Sequence, residues 1–232
     1  MSSRARPTQP TPPRERAAPL PTSALPELAA EISRRGERAA GRSRTRDLLI
    51  RCGVEIFCER GFQGAGIDEL RKRVDVPKGS FYHFFDSKQA FGAAVIEAYA
   101  AYFERKLARR LEDDSMPPLD RLLAFAEDAK LGMSKFDFQR GCLVGNLGQE
   151  LGGYNAAFRE QLEAVLRSWQ RKVAQCLQLA IDGGAIARDA DANGLAEFFW
   201  IGWEGAILRA KLTGNNDPLD AFMAGFMKVV HA

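Results

Sequence analysis

The stretch E-R-G-F-Q-G-A-G-I-D-E-L-R-K-R-V-D-V-P-K-G-S-F-Y-H-F-F-D-S-K, Glu59–Lys88, sets the architecture of the whole chain. Ile67, Leu70 and Val74 fall on one helical face and predict a short helix. Asp75-Val76-Pro77-Lys78-Gly79 predicts a tight connection. Pro77 biases Val76 away from the α region, and Asp75 is among the few non-glycine residues that tolerate a left-handed backbone. A second short helix follows, Lys78–Phe85, with Phe81, Phe84 and Phe85 on its buried side. Upstream, Leu49, Ile50, Val54, Ile56 and Phe57 keep the helical period until Gly61 offers a stop. Two short helices joined by a tight turn after a longer helix form a helix-turn-helix, whose second short helix enters the DNA major groove. On spacing alone, an αα-hairpin with a solvated basic face satisfies the same pattern.

The candidate DNA contacts follow from the chemistry of that helix. Lys78 stands where it begins, and the first-turn amides there can approach a phosphate. Gly79 removes a side chain where the backbone must come close. Ser80, Tyr82 and His83 have polar edges that can reach bases or phosphates. Phe81 belongs to the same cluster, Lys88 is placed to hold a phosphate on the far side, and Arg46 ends the basic segment before the first helix.

Beyond Lys88 the pattern stays helical, which predicts an all-α protein. Asp86-Ser87-Lys88-Gln89 has capping-box character ahead of a long helix. Further helices are expected at residues 119–133, 143–151, 155–181, 192–213 and 218–230. No strand alternation of useful length occurs. Seven of the eleven prolines lie between Pro7 and Pro26, mixed with Ser, Thr and Arg, which predicts a disordered arm over 1–42 with at most a transient helix at Leu25–Ala40. The expected domains are the arm at 1–42, the helix-turn-helix at 43–88 and a helical body at 89–232.

Composition narrows the function. The 232 residues carry a formal charge of +3, which hides an uneven distribution. Residues 1–46 hold ten Arg against four Glu, residues 47–88 are balanced, and the remainder is mildly acidic. A basic front suggests an anionic partner. Four Cys without a C-x-x-C pattern argue against a disulfide scaffold or zinc finger, and two His argue against His-rich metal sites. No metal or cofactor is therefore expected. No apolar segment long enough for a membrane span and no secretory leader are read, so a cytoplasmic, nucleoid-associated protein with reduced thiols is expected.

Glu59–Lys88 closely resembles the DNA-binding domain of TetR-family transcriptional regulators, through G-F-x-x-x-x followed by V-P-K-G-S-F-Y-H-F-F-D-S-K. The resemblance covers Ser43 to about Lys88. It implies phosphate contacts at Tyr82 and Lys88 and groove-facing Lys78, Ser80 and His83. Three residues depart from the family pattern: Ala65 replaces a common Thr, Asp75 a common Gly, and Phe84 a common Tyr or His. The family also implies a helical ligand-binding domain and a homodimer built on the last long helices, acting as a ligand-released repressor on a palindromic operator. The small residues Gly202, Gly205, Ala206 and Ala210 beside Trp203 fit close helix approach. R-G-C-L-V-G-N-L-G-Q-E-L-G (Arg140–Gly152) and F-W-I-G-W-E-G-A-I-L-R-A-K (Phe199–Lys211) resemble a subgroup that regulates acrylate utilisation and, more distantly, N-ethylmaleimide reduction. This implies acrylate or a related α,β-unsaturated acid as effector.

Cys142 opens a helix, where partial positive charge favours a thiolate, and Arg140 is placed either to favour it further or to pair with a ligand carboxylate. Two roles remain open for the cysteine: covalent sensing of electrophiles, oxidants or quinones, and simple packing or non-covalent lining of a pocket. Asn146 and Gln149 are candidate polar groups of a pocket walled by Phe138, Trp169, Phe199, Trp200 and Trp203. Cys52 and Cys58, roughly 120° apart around one helix, should fill core rather than pair, and Cys176 should do the same. An enzyme using Cys142 as nucleophile is set aside, because His83 lies in the recognition helix and His231 in the tail, leaving no histidine base. Deleting residues 1–40 should weaken operator binding and flatten its salt dependence, measured by fluorescence anisotropy across a salt series. An unchanged slope would count against the arm.

Overall fold

A computed structural model gives the backbone of residues 25–231 and the side chains of residues 43–231. By its contacts the chain divides into Met1–Arg44 and Thr45–Ala232. Most of the expected arm lies outside the described residues. Helix α1 runs from Leu25 to Arg60, so it starts well before the ordered boundary expected at Ser43. Its first part is rich in Ala, Glu and Arg, all strong helix formers.

The head is assembled as the sequence predicts. Gly61 ends α1 in a left-handed conformation (φ 75°). Helix α2 (Ile67–Arg73) carries Asp68 and Glu69 in its first turn and Arg71, Lys72 and Arg73 in its last, the order favoured by the helix dipole. Asp75 takes the expected left-handed backbone (φ 52°), and Pro77 leads into α3 (Lys78–Phe84). Ser87 caps α4 (Lys88–Leu111) by accepting from Ala90 N–H at 3.0 Å. The reciprocal half of a capping box is absent because Ala90, not Gln89, occupies the third helical position.

The body continues with α5 (Pro118–Ser134), α6 (Leu143–Leu151), α7 (Ala156–Asp182), α8 (Ala192–Thr213) and α9 (Asp217–Val230). Among the described residues there is no strand. Helix α7 packs against α4, α5, α6 and α8, and α8 against α9. Their shared core is aromatic. The Phe103 and Trp169 ring centroids lie 4.3 Å apart, Trp169 and Trp200 5.3 Å, and Phe199 and Trp203 5.7 Å. Each such ring removes about 150–250 Å² from water and makes this cluster the main apolar anchor of the body.

A second aromatic group joins head to body. Phe91 on α4 meets Phe57, Phe81 and Phe85, with centroids 5.9, 5.2 and 4.9 Å away. Gly92 lets α4 close on it: a Cβ there would lie 2.7 Å from Phe62 and 2.9 Å from Phe158. Both rings are buried and cannot retreat cheaply. Gly92→Ala should therefore destabilise the protein by about 1–3 kcal/mol despite the better helix propensity of Ala, measured as the midpoint shift in urea unfolding.

Candidate functional site

The outward surface of α3 is polar. Lys78, Gly79, Tyr82 and His83 are exposed and Ser80 is half-buried. Nothing lies near the position a Gly79 Cβ would take, so that face is open for close backbone approach. Two candidates sit differently from expectation. Phe81 is fully buried and stacks edge-on against Phe91, so it supports α3 rather than reaching DNA. Lys88 is half-buried, with its ammonium 4.7 Å above the Phe62 ring and directed at the Gln63 carbonyl. Burial lowers its pKa, opposed by the nearby Glu150 carboxylate. Arg46 is exposed and lies over Phe85.

The C-terminal end of α1 is finished by residues of the body. The last carbonyls of a helix lack intrahelical donors. The Cys58 carbonyl accepts from Asn146 Nδ2 on α6 and from Lys211 Nζ on α8, both at 3.1 Å. Arg140 binds the Glu59 carboxylate at 2.7 and 2.9 Å and reaches Glu55 at 3.5 Å. Glu150, at the far end of α6, accepts from the Phe62 and Gln63 amides at 2.7 and 2.6 Å. Gln63 also donates to the Tyr154 hydroxyl.

Beside this junction lies a cavity of about 810 Å³, walled by α1, α4, α5, α8 and the loop before α6. Ile50, Cys58, Tyr99, Cys142, Trp203 and Glu204 are among its lining residues. Cys142 caps α6 with its sulfur, accepting from Gly145 N–H at 3.5 Å. Contrary to the thiolate expected from helix position, burial and then the adjacent Glu204 carboxylate push this thiol well above its ordinary range. Arg140 does not oppose them, being committed to Glu59 and Glu55. Burial likewise raises the Tyr99 phenol and takes the Cys58 thiol up to about 12. Glu204 is raised to about 7 by burial, which the contact with Cys142 only partly offsets. Its Oε1 is sealed from solvent without a hydrogen-bond partner.

Of the residues expected at a ligand site, the structure brings Arg140, Cys142 and Trp203 to the cavity. Asn146 is beside it but serves the Cys58 carbonyl. Gln149 is exposed further along α6 and does not reach it. Trp169, Trp200 and Phe199 stand in the core behind the wall, with the Trp200 indole N–H lacking a partner. Phe138 is packed against the core, and Phe136 lines the cavity in its place. Cys52 and Cys176 are buried, free thiols donating to the Leu70 and Pro118 carbonyls. Glu204 and Tyr99 were not anticipated. The only sequence signal for Glu204 is a carboxylate inside the aromatic run Phe198–Ile207.

Comparison with known proteins bears directly on this arrangement. Residues 49–95 match the model for bacterial regulatory proteins of the tetR family, and residues 118–226 match a tetracyclin repressor-like C-terminal domain. The transcriptional regulator AcuR of Cereibacter sphaeroides is 47% identical over 209 residues, covering 89% of this chain and 95% of the relative. The chain belongs to the TetR family. A crystal structure of a TetR regulatory protein from Rhodobacter sphaeroides superposes with a TM-score of 0.76 at 50% identity, covering 78% of this chain and 96% of the other. Escherichia coli NemR, an HTH-type transcriptional repressor, is 29% identical over 80% of this chain and 94% of its own length. Its crystal structure in the reduced form superposes with a TM-score of 0.71, covering 81% of this chain and 97% of that one. As a TetR-family member, the chain is a DNA-binding transcriptional regulator and not an enzyme. No helix among the described residues is long and apolar enough to cross a membrane.

The half-buried Glu204 carboxyl, with its Oε1 sealed from water, makes stability depend on pH. Glu204 titrates near 4.5 when unfolded and near 7 when folded. Below pH 4.5 both states are protonated and its contribution is whole; between these values the unfolded chain ionises first and stability falls. Above the folded value the loss is constant, on the order of 3 kcal/mol. Glu204→Gln should raise the melting temperature at pH 8 by several degrees and leave it unchanged at pH 4, measured by differential scanning fluorimetry.

Proposed function

We propose that this protein is a homodimeric repressor that binds a palindromic operator and is released by a small effector, acrylate or a related α,β-unsaturated acid, entering the cavity. The observation that carries the reading is the composition of the cavity wall. Ile50, Val54 and Cys58 belong to α1, the first helix of the head, while Tyr99 and Phe103 belong to α4, which joins head to body. An occupant therefore touches both helices that orient the recognition helix. Tilting α4 would change the separation of the two recognition helices from the about 34–36 Å that successive major grooves require. For release to follow, the effector must bind the released arrangement more tightly than the DNA-bound one.

Dimerisation is supported by an apolar stripe on α8. Phe198, Ile201 and Leu212 are 48%, 70% and 73% exposed, and Leu208 continues the row. On the other side of α8, Gly202 admits the Phe222 ring so closely that a Cβ would collide with it. A row of large apolar side chains in water marks an association surface. The effector class rests on the resemblance of Arg140–Gly152 and Phe199–Lys211 to regulators of acrylate utilisation. The reduced form of NemR lends weight to a second reading, a thiol sensor of oxidants or quinones acting through Cys142.

Fluorescence anisotropy with DNA from upstream of the protein's own gene tests these points. Lys78→Ala should weaken binding about tenfold and reduce the salt slope by about one. Ile201→Lys should give a monomer in sedimentation and abolish operator binding. Millimolar acrylate should release the wild type. Release of Cys142→Ser by acrylate as well would mean non-covalent occupancy, and release by peroxide or quinone alone would favour the thiol sensor.

A further inference from the structure

Cys142 and Glu204 come from different elements, the cap of α6 and the middle of α8, and meet at the cavity wall. Glu204 Oε2 lies against Gly145, in the turn that Cys142 caps, while Oε1 is sealed from solvent without a hydrogen-bond partner. Among the described residues Glu204 has no ion-pair partner. Gly145 makes room for it: a Cβ there would collide with Glu204 Oε2. The first-turn amide of Gly145 donates to the Cys142 sulfur at 3.5 Å. A carboxyl with one oxygen sealed from water and unpaired, beside a buried thiol, is costly, and packing alone gives no reason for it.

We propose that Glu204 is the general base that activates Cys142 for addition to an α,β-unsaturated carbonyl compound in the cavity. The Glu204 carboxylate takes the thiol proton, and the sulfur attacks the β-carbon. As the new S–C bond forms, the π electrons of the alkene move to the carbonyl oxygen to give an enolate. Glu204 then returns the proton to the α-carbon. The sum is addition of S–H across C=C, with no oxidant and no leaving group. The Gly145 amide faces the sulfur while it carries negative charge. The proposal rests on the reading that an unsaturated carbonyl compound enters this cavity. An acid such as acrylate would have to turn its carboxylate away from Glu204, because like charges repel; an amide or ester carries no such constraint.

The surroundings isolate this pair. The titratable groups that share the cavity wall with it include Cys58, Arg51 and Glu55 of α1, Tyr99 and Lys106 of α4, and Arg140 before α6. Burial takes the Cys58 thiol up to about 12 and raises the Tyr99 phenol and the Cys142 thiol well above their ordinary ranges. Glu204, titrating near 7, is the neighbouring group that changes charge across neutral pH. A base poised near the working pH is the one best suited to proton transfer.

The test uses the full chain with acrylamide as probe, from pH 5.5 to 9.5, reading adducts by intact-protein and peptide mass spectrometry. In the wild type the adduct should map to Cys142, with a rate that rises through about pH 7 and then levels. Glu204→Gln should react at least about tenfold more slowly at pH 7.5 and still be accelerating at pH 9.5. Gly145→Ala keeps the carboxyl but displaces it, and should slow the reaction likewise while its melting temperature stays at or above that of the wild type. Wild-type rates with an unchanged profile in both variants, or an adduct on another cysteine, would overturn the proposal. Operator binding by the same samples separates the two readings. A Glu204-dependent adduct that leaves operator binding intact upholds the chemistry and sinks the effector reading. Release of operator without any adduct does the reverse.

Discussion

A helix must end somewhere, and its last carbonyls and the amides of the following turn must be satisfied. In this protein the end of α1 is satisfied by another part of the fold. Lys211 and Asn146 serve the Cys58 carbonyl, Arg140 holds Glu59, and Glu150 gathers the Phe62 and Gln63 amides. A cation at a helix C-terminus is also favoured by the helix dipole. The head therefore cannot shift against the body without breaking charge-assisted hydrogen bonds. Helix α6 spans the arrangement, with Cys142 at the cavity end and Glu150 at the turn before α2.

Charge is handled oppositely at the two ends of the molecule. On α3 the polar groups Lys78, Tyr82 and His83 are exposed to water. At the cavity Cys142 and Tyr99 are buried and Glu204 is half-buried with Oε1 sealed from water, so interactions among them are stronger than on the open surface. The modest net charge of +3 gives no hint of this division. Lys88, expected to hold a phosphate, shows how finely the division is drawn: it lies within the head and is already engaged by Phe62 and Gln63.

The helices were legible because their signals are local. Spacing of apolar residues, the cap at Ser87, the stop at Gly61 and the left-handed Asp75 each follow from a few neighbouring residues. The site was legible only in outline. Cys142 and Asn146 are one turn apart on α6, and Gln149 continues that face by spacing. The cavity, however, meets only the start of the helix, and its far end passes the α1–α2 turn, where Glu150 is used instead. The protonation of Cys142 is hidden from the sequence for a related reason. Helix position can be read locally, whereas desolvation depends on α4 and α8 closing over the sulfur. Glu204 escaped notice because a lone carboxylate in an apolar helix ordinarily marks the solvent side.

All three tryptophans of the chain, Trp169, Trp200 and Trp203, stand in the one aromatic cluster behind the cavity, and the head contains none. Trp203 forms part of the cavity surface, while Trp169 and Trp200 stack behind it with Phe103. The protein thus carries its own optical probe. Intrinsic indole fluorescence therefore reports on the helical body around the cavity and not on the residues of the head.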